Sequence, residues 1–417
     1  MAKLALVGGE KVRGESFVSW PHYDDRELSN VEAVLKSRRW FSGMRGADPG
    51  TKTEELEKKF SAFHESGFGI ACANGTVAIE IALRAAGIGV GDEVIVPALT
   101  FIATLSAVLQ VNAIPILVDV DYQTQCIQPD AIEDAITDRT KAVIPVHFGG
   151  FGCDMERIMA IAGEHNLIVI EDAAHAHGAV YKGKKVGSLG HLATFSFQES
   201  KTMTAGEGGM ITTSDAALAE RCIQYRSCGR REGESWYVHY VLPLNYRLSE
   251  VHSAILLAQL ERLEQQLQTK NENARWLEER LREVKGISPV TGDGNTDVNG
   301  FYLYLLKYEP GEFRNLARDC FVDALKAEGI PCHIGYPWPL SKNPLFDRIQ
   351  EGAGGCPFTC PYYGKEISIK EMSFPTAERI CQETVVIPHQ VLLSPQSELE
   401  DIIIAIRKIQ ENVDELL

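Results

Sequence analysis

The chain has no apolar run approaching the ~18 residues that a membrane-spanning helix needs, so a membrane-embedded protein is not expected. Its opening, Met1 to Gly9, carries too short an apolar run for a secretion signal. Basic charge is scarce. Lys and Arg total 41 against 57 Asp and Glu, a formal net charge of −16 over 417 residues. That field opposes nucleic acid and anionic membrane as partners, a local basic patch aside. The ten cysteines include no CxxC pair. Cys356 and Cys360 form a CxxxC, but no second pair or His cluster completes a zinc site, and no metal is expected. Mostly isolated and in apolar settings, the cysteines read as reduced thiols of a cytoplasmic protein. Neither a Walker A sequence nor a GxGxxG fingerprint follows a strand, which lowers the nucleotide-triphosphate and dinucleotide readings. Internal repeats and low-complexity segments are missing too.

What is present is a globular composition, 45% apolar and 24% charged, long enough for a large domain with a smaller one. Residues 1–68 read as a lead-in, with amphipathic helices at Ser29–Lys36 and Thr53–Phe63 around a loop from Gly43 to Gly50. From about residue 70 to 215, short β-rich runs alternate with helical stretches. The runs are Glu93–Pro97, Ile116–Val120, Ala142–His147, Leu167–Glu171, Ala193–Phe197 and Gly209–Thr213. The helical stretches are Val77–Ala86, Ile102–Val111, Pro129–Ile136 and Met155–His165. Such alternation predicts an α/β fold with a largely parallel sheet, and the nearly continuous apolar strands predict burial on both faces. After residue 250 the texture changes. A long helix is predicted over Ser249–Val284, β-like runs at Phe301–Tyr308 and around Cys332–Ile334, and a closing helix over Ser397–Glu415. The expected division is 1–260 for the lead-in and large domain and 261–417 for a small α/β domain.

Three local patterns carry chemistry. Asn74-Gly75-Thr76 lies between a short apolar run and a helix, where backbone amides and the Thr76 hydroxyl can hold a phosphate, or simply cap the helix. Glu171-Asp172 ends a strand and is followed by His175 and His177. Carboxylates at such strand ends face the ligand crevice of α/β proteins. The two histidines have no third partner at metal-like spacing. Lys201 follows the Phe195-Ser196-Phe197-Gln198 run and precedes a glycine cluster, Gly206, Gly208 and Gly209.

Together these patterns resemble the DegT/StrS family of sugar aminotransferases, enzymes of the aspartate-aminotransferase-like fold that use pyridoxal 5'-phosphate (PLP). The resemblance covers almost the whole chain. It runs from Trp40 and Gly43 through Asn74-Gly75-Thr76, Gly91-Asp92-Glu93, Thr100-Phe101, Pro145-Val146-His147, the Asp172 run and the Lys201 run, to Asn245-Tyr246-Arg247-Leu248-Ser249-Glu250. The resemblance implies a mainly parallel seven-stranded sheet with a smaller C-terminal α/β domain. It implies that Lys201 forms the Schiff base of a ping-pong reaction and then acts as base and acid. Asp172 would face the pyridine nitrogen and keep it protonated. His175 would contact the ring, Phe101 stack on it, and Gly75, Thr76 and Ser196 hold the phosphate. Asn245 matches a residue that reaches the phosphate from a partner subunit, which implies a homodimer with shared active sites.

The resemblance also frames the substrate. The family moves amino groups from glutamate or glutamine to keto-sugars, often nucleotide-linked, or to cyclitol ketones of the scyllo-inosose kind. The Pro337–Phe346 and Val386–Leu393 segments and Ser19-Trp20-Pro21 are similar to those of the cyclitol aminotransferases. Pro388 departs from them, standing where a second His is expected beside His389. His147, Tyr336, Lys342 and His389 are substrate candidates by position, and Arg230 and Arg231 could clamp a donor carboxylate. Lysine rather than histidine at 201 favours amino transfer over the dehydration that some family members perform. A catalytically silent PLP-fold sensor remains a further alternative.

Overall fold

Short apolar runs become the strands of one sheet. They are β1 (Phe68–Cys72), β2 (Glu93–Pro97), β3 (Ile114–Val118), β4 (Thr140–Val143), β5 (Ile168–Asp172), β6 (Leu192–Ser196) and β7 (Gly209–Thr213). This computed structural model describes residues 3–43, 50–231, 233–242, 244–348, 357–358 and 361–417. Cys356, Cys360 and residues 44–49 of the Gly43–Gly50 loop lie outside the described residues. The sheet order is β1-β7-β6-β5-β4-β2-β3, and β7 alone runs against its neighbours. The α/β fold with a mainly parallel seven-stranded sheet is therefore present. β2, β6 and β7 are buried at every position, as a sheet covered on both faces requires.

The helices follow the chain as α1 (Asp25–Ser37), α2 (Lys52–Phe63), α3 (Gly75–Ala85), α4 (Ile102–Gln110), α5 (Pro129–Asp134) and α6 (Met155–His165). Then come α7 (Ala216–Arg226), α8 (Glu250–Leu281), α9 (Arg318–Ala327), α10 (Pro375–Glu383) and α11 (Gln396–Glu411). Capping boxes start α1 at Asp24 and Glu27 and α2 at Thr51 and Glu54, so both helices begin at residues that satisfy their open amides. The expected strand around Cys332–Ile334 is reduced to one bridge, His333 to Val386. In its place, Thr384–Pro388 pairs with Leu303–Tyr308, which also pairs with Ile287–Pro289. Among the described residues, no helix is long and apolar enough to cross a membrane.

The buried apolar side chains form two clusters, one around the seven-stranded sheet and one around the three-stranded sheet with α9 and α11. These cores do not divide the chain at residue 260. Leu4 and Phe17 pack into the second cluster, and Leu340 to Cys381 return to the first. Burial of apolar area decides membership, whatever the chain order. α8 joins the two, with Leu256, Leu263 and Leu267 in the first core and Ala274, Leu277 and Leu281 in the second.

Candidate active site

The ends of β1, β5 and β6 converge on a cavity of about 500 Å³. Gly75, Thr76, Phe101, Asp172, His175, Ser196, Lys201 and Tyr336 all line it. Parallel strands place such a crevice at their carboxyl ends.

Lys201 reaches the cavity because its loop folds back on its own strand. The Phe197 amide donates to Gly208 O at 2.8 Å, Glu199 N to Gly206 O at 3.0 Å, and Lys201 N to Gln198 O at 2.9 Å. Gly206 turns the chain at φ +84°, a conformation that costs a side chain strain. Burial pulls the Lys201 ammonium down to about 8, while the Asp172 charge resists that fall. Lys201 Nζ sits 3.9 Å from the centre of the Tyr302 ring, where the ring face steadies the protonated amine.

Asp172 ends β5 and is 5% exposed. Its Oδ2 accepts from the Thr104 hydroxyl at 2.8 Å, and its Oδ1 from the Ala174 amide at 3.2 Å. Burial raises this carboxyl, and those two hydrogen bonds and Lys201 oppose the rise. Thr104 in turn lies 3.0 Å from the Thr100 hydroxyl. His175 accepts the Gly149 amide on Nδ1 at 3.3 Å, and its ring centre is 4.2 Å from that of Tyr302. Burial, then the Lys201 charge, hold His175 well below its ordinary value, so it is neutral.

The start of α3 forms the other end of the cavity. A helix leaves its first amides without partners. Asn74 accepts the Val77 amide at 3.0 Å, and those of Gly75 and Thr76 remain. A Cβ on Gly75 would stand 2.8 Å from Ser196 Cβ, so only glycine lets the helix start approach β6 this closely. An anion cradle that a Cβ would fill, a carboxylate, an amine and a ring at Phe101 fit a phosphorylated, aromatic carbonyl cofactor.

Several of the expected residues lie outside the lining of this cavity. His147 is fully buried away from the cavity; its Nδ1 accepts Cys153 N at 3.1 Å and its Nε2 donates to Glu171 at 3.0 Å. Lys342 donates to the carbonyls of Met372 at 3.0 Å and Lys370 at 3.4 Å, tying two loops together. His389 is buried and donates to Ser200 O at 3.1 Å, supporting the lysine loop from behind. Arg230 lies over the Trp236 ring and Arg231 pairs with Glu220, so neither enters this cavity. Asn245 is exposed and outside the cavity lining of its own chain. Thr104, Tyr302, Gln198 and Glu207 line the cavity without having been anticipated. Thr104 had a signal, a hydroxyl four residues after Thr100 where a strand gives way to a helix. Tyr302 had none, because it arrives from the three-stranded sheet.

Residues 21–370 match the DegT/DnrJ/EryC1/StrS aminotransferase family. The chain belongs to this family. Among its relatives, the L-glutamine:2-deoxy-scyllo-inosose aminotransferase of Micromonospora echinospora is 36% identical, with 100% of each chain covered. The L-glutamine:scyllo-inosose aminotransferase of Streptomyces griseus is 36% identical over 100% of this chain and 99% of that one. The crystal structure of 3-amino-5-hydroxybenzoic acid synthase superposes with a TM-score of 0.84 at 32% identity, covering 97% of this chain and 100% of that one. The DegT/DnrJ/EryC1/StrS chain is thus an aminotransferase, and the cavity at the strand ends is the natural place for its chemistry.

Proposed function

We propose that this aminotransferase binds PLP and moves the amino group of glutamine to a cyclitol ketone of the scyllo-inosose kind. The observation that carries the reading is one cavity holding Lys201, Asp172 and the open α3 amides together. The names of the relatives at 36% identity support the acceptor and the donor.

Gly75, Thr76 and Ser196 would hold the phosphate, Asp172 the pyridine nitrogen, and Phe101 a ring face. When bound, PLP supplies an electron sink for negative charge at the α-carbon of an attached amine. Asp172, whose charged form the Thr104 and Ala174 hydrogen bonds favour against burial, would hold a proton on the pyridine nitrogen. Lys201 Nζ is neutral above about pH 8, which suits it to attack a carbonyl and to take the donor's α-proton. The Tyr302 face then supports the ammonium that gives the proton back. His175, neutral, supplies an N–H without adding charge.

A homodimer with shared sites is part of this proposal. Trp236, Tyr237 and Leu242 are 70%, 74% and 79% exposed on one loop, and Phe101 is 56% exposed at the cavity. Apolar surface of this kind supports a second copy as its cover, which would bring Asn245 to the neighbouring phosphate site.

The test is direct. Loaded enzyme should lose its visible absorption band on adding glutamine and regain it with scyllo-inosose, with an amino-cyclitol as product. Lys201→Ala should take up the cofactor without that band and turn over neither half-reaction. A chain that binds no PLP overturns the proposal.

A further inference from the structure

Ser19-Trp20-Pro21 and Val386–Leu393 contribute no residue to the lining of the Lys201 cavity. The two segments nevertheless meet. The Trp20 ring stands edge-on to His389, with 4.6 Å between ring centres at 83°. Both rings then donate to the loop that carries Lys201. Trp20 Nε1 donates to Glu199 O at 2.9 Å, and His389 Nε2 to Ser200 O at 3.1 Å. These are the two carbonyls immediately before the lysine.

Strand register places His389. Pro388 pairs with Leu303 at the end of an antiparallel ladder. The next residues outward, His389 and Tyr302, therefore emerge side by side, with ring centres 6.3 Å apart. Both reach Ser200, since Tyr302 OH lies 2.9 Å from Ser200 Oγ. Burial, then the Lys270 charge, hold the His389 ring well below its ordinary value, so it is neutral. A neutral imidazole has one N–H. Nδ1 has no partner among the described residues, so that proton belongs on Nε2, toward Ser200 O. The Trp20 indole N–H can only donate. Both contacts thus have a fixed direction.

The loop depends on such contacts, because Glu199 and Ser200 are exposed and no burial of their side chains anchors them. The Glu199 amide donates to Gly206 O at 3.0 Å and the Ser200 amide to Gln198 Oε1 at 2.9 Å. With the two carbonyls held as well, each residue has both backbone groups bonded and neither can swing without breaking a bond. A reacting amine tolerates little displacement, since about 1 Å can cost on the order of a hundredfold in rate.

We propose that Trp20 and His389 form a clamp that positions Lys201, which makes the lead-in segment part of the catalytic machinery although it lies outside the cavity. The assignment rests on Lys201 being the reacting amine of the aminotransferase reading above. Trp20 and His389 are positioning residues: they act through the loop and touch no reacting atom.

The experiment compares wild type with Trp20→Phe, which keeps a ring against His389 but loses the N–H, with His389→Leu, and with His389→Gln, which keeps a side-chain N–H. The first readout needs no cofactor. In the apo chain, amide hydrogen exchange of the peptide 198–206 should quicken about tenfold in Trp20→Phe and His389→Leu, while a peptide from α6 exchanges as in wild type. The second uses PLP-loaded enzyme. The maximal rate of the glutamine half-reaction should fall about tenfold or more while the glutamine KM stays within about twofold. His389→Gln should recover most of both losses. Trp20→Phe decides the matter if His389→Leu does not fold. Wild-type exchange and rate in Trp20→Phe overturn the clamp alone. So does exchange that quickens equally in α6, which would show a general loss of stability, or a loss confined to KM. A wild-type enzyme that takes up no PLP overturns the reading of Lys201, and the clamp with it.

Discussion

Thr104 shows how a single hydroxyl sets the chemistry of a neighbour. Burial pushes Asp172 toward its neutral form, and the 2.8 Å bond from Thr104 pulls it back. A hydrogen bond to a charged group is worth about 1.5–3 kcal/mol. Thr104→Val should therefore lower kcat/KM of the donor half-reaction about tenfold or more, and Thr104→Ser should restore most of it. Lys201 supplies a pH test. Its ammonium is drawn from the ordinary 10.5 to about 8, so it is neutral over a range where a free lysine is still charged. The rate of PLP uptake by the apo chain should climb as pH rises through about 8 and level off above it, followed by stopped-flow absorbance. At this scale, the sequence reveals Lys201 and Asp172 well, because each sits in a local string of strand, turn and glycine. It does not reveal that the two ring nitrogens of His147 are taken up by Cys153 and Glu171, and it overlooks Tyr302. Both outcomes depend on which buried groups meet across the sheet.

Among the elements, α8 is the most informative. Its 32 residues run through both cores and bury Lys270 completely. Lys270 Nζ has no hydrogen-bond partner among the described residues, and burial drags its ammonium down to about 7. The sign follows from proton binding. Between about pH 7 and 10.5 the unfolded chain holds a proton on Lys270 that the folded chain has lost, so stability rises with pH over that window. The penalty is largest below pH 7. Lys270→Met should raise stability at pH 7 by on the order of a few kcal/mol, and the gain should shrink by pH 10, as measured by urea unfolding at each pH. Elements with strong local patterns were legible. β2, β7 and α6 match their expected ranges, and β3 is displaced toward the N-terminus by two residues. α7, α9 and α10 were not, and neither was the strand Thr384–Pro388. That strand is stabilised by pairing with Leu303–Tyr308, a distant partner that no local window contains.

For the whole molecule, the proposed dimer makes a distinct prediction. Lys201→Ala and Asn245→Ala should each be nearly inactive alone. Mixed and allowed to exchange subunits, they should recover roughly a quarter of the wild-type activity, since half the dimers are mixed and each has one intact site. No recovery would mean that each chain completes its own site. The two apolar cores are a further property of the whole. The N-terminal Leu4 and Phe17 join the C-terminal core, and the 340–381 segment joins the large one, so a truncation at residue 260 would strip both cores of side chains.

The sequence by itself determined the alternation of elements, the parallel sheet and the order of motifs that marks an aminotransferase. It did so because hydrophobic period, caps and glycine turns are local properties. Only the tertiary structure decided which of the candidate polar residues share the cavity. Gly75, Asp172, Lys201 and Tyr336 do; His147, Lys342 and His389 do not. That choice is made by packing, which satisfies some buried groups with protein partners and leaves others facing the cavity.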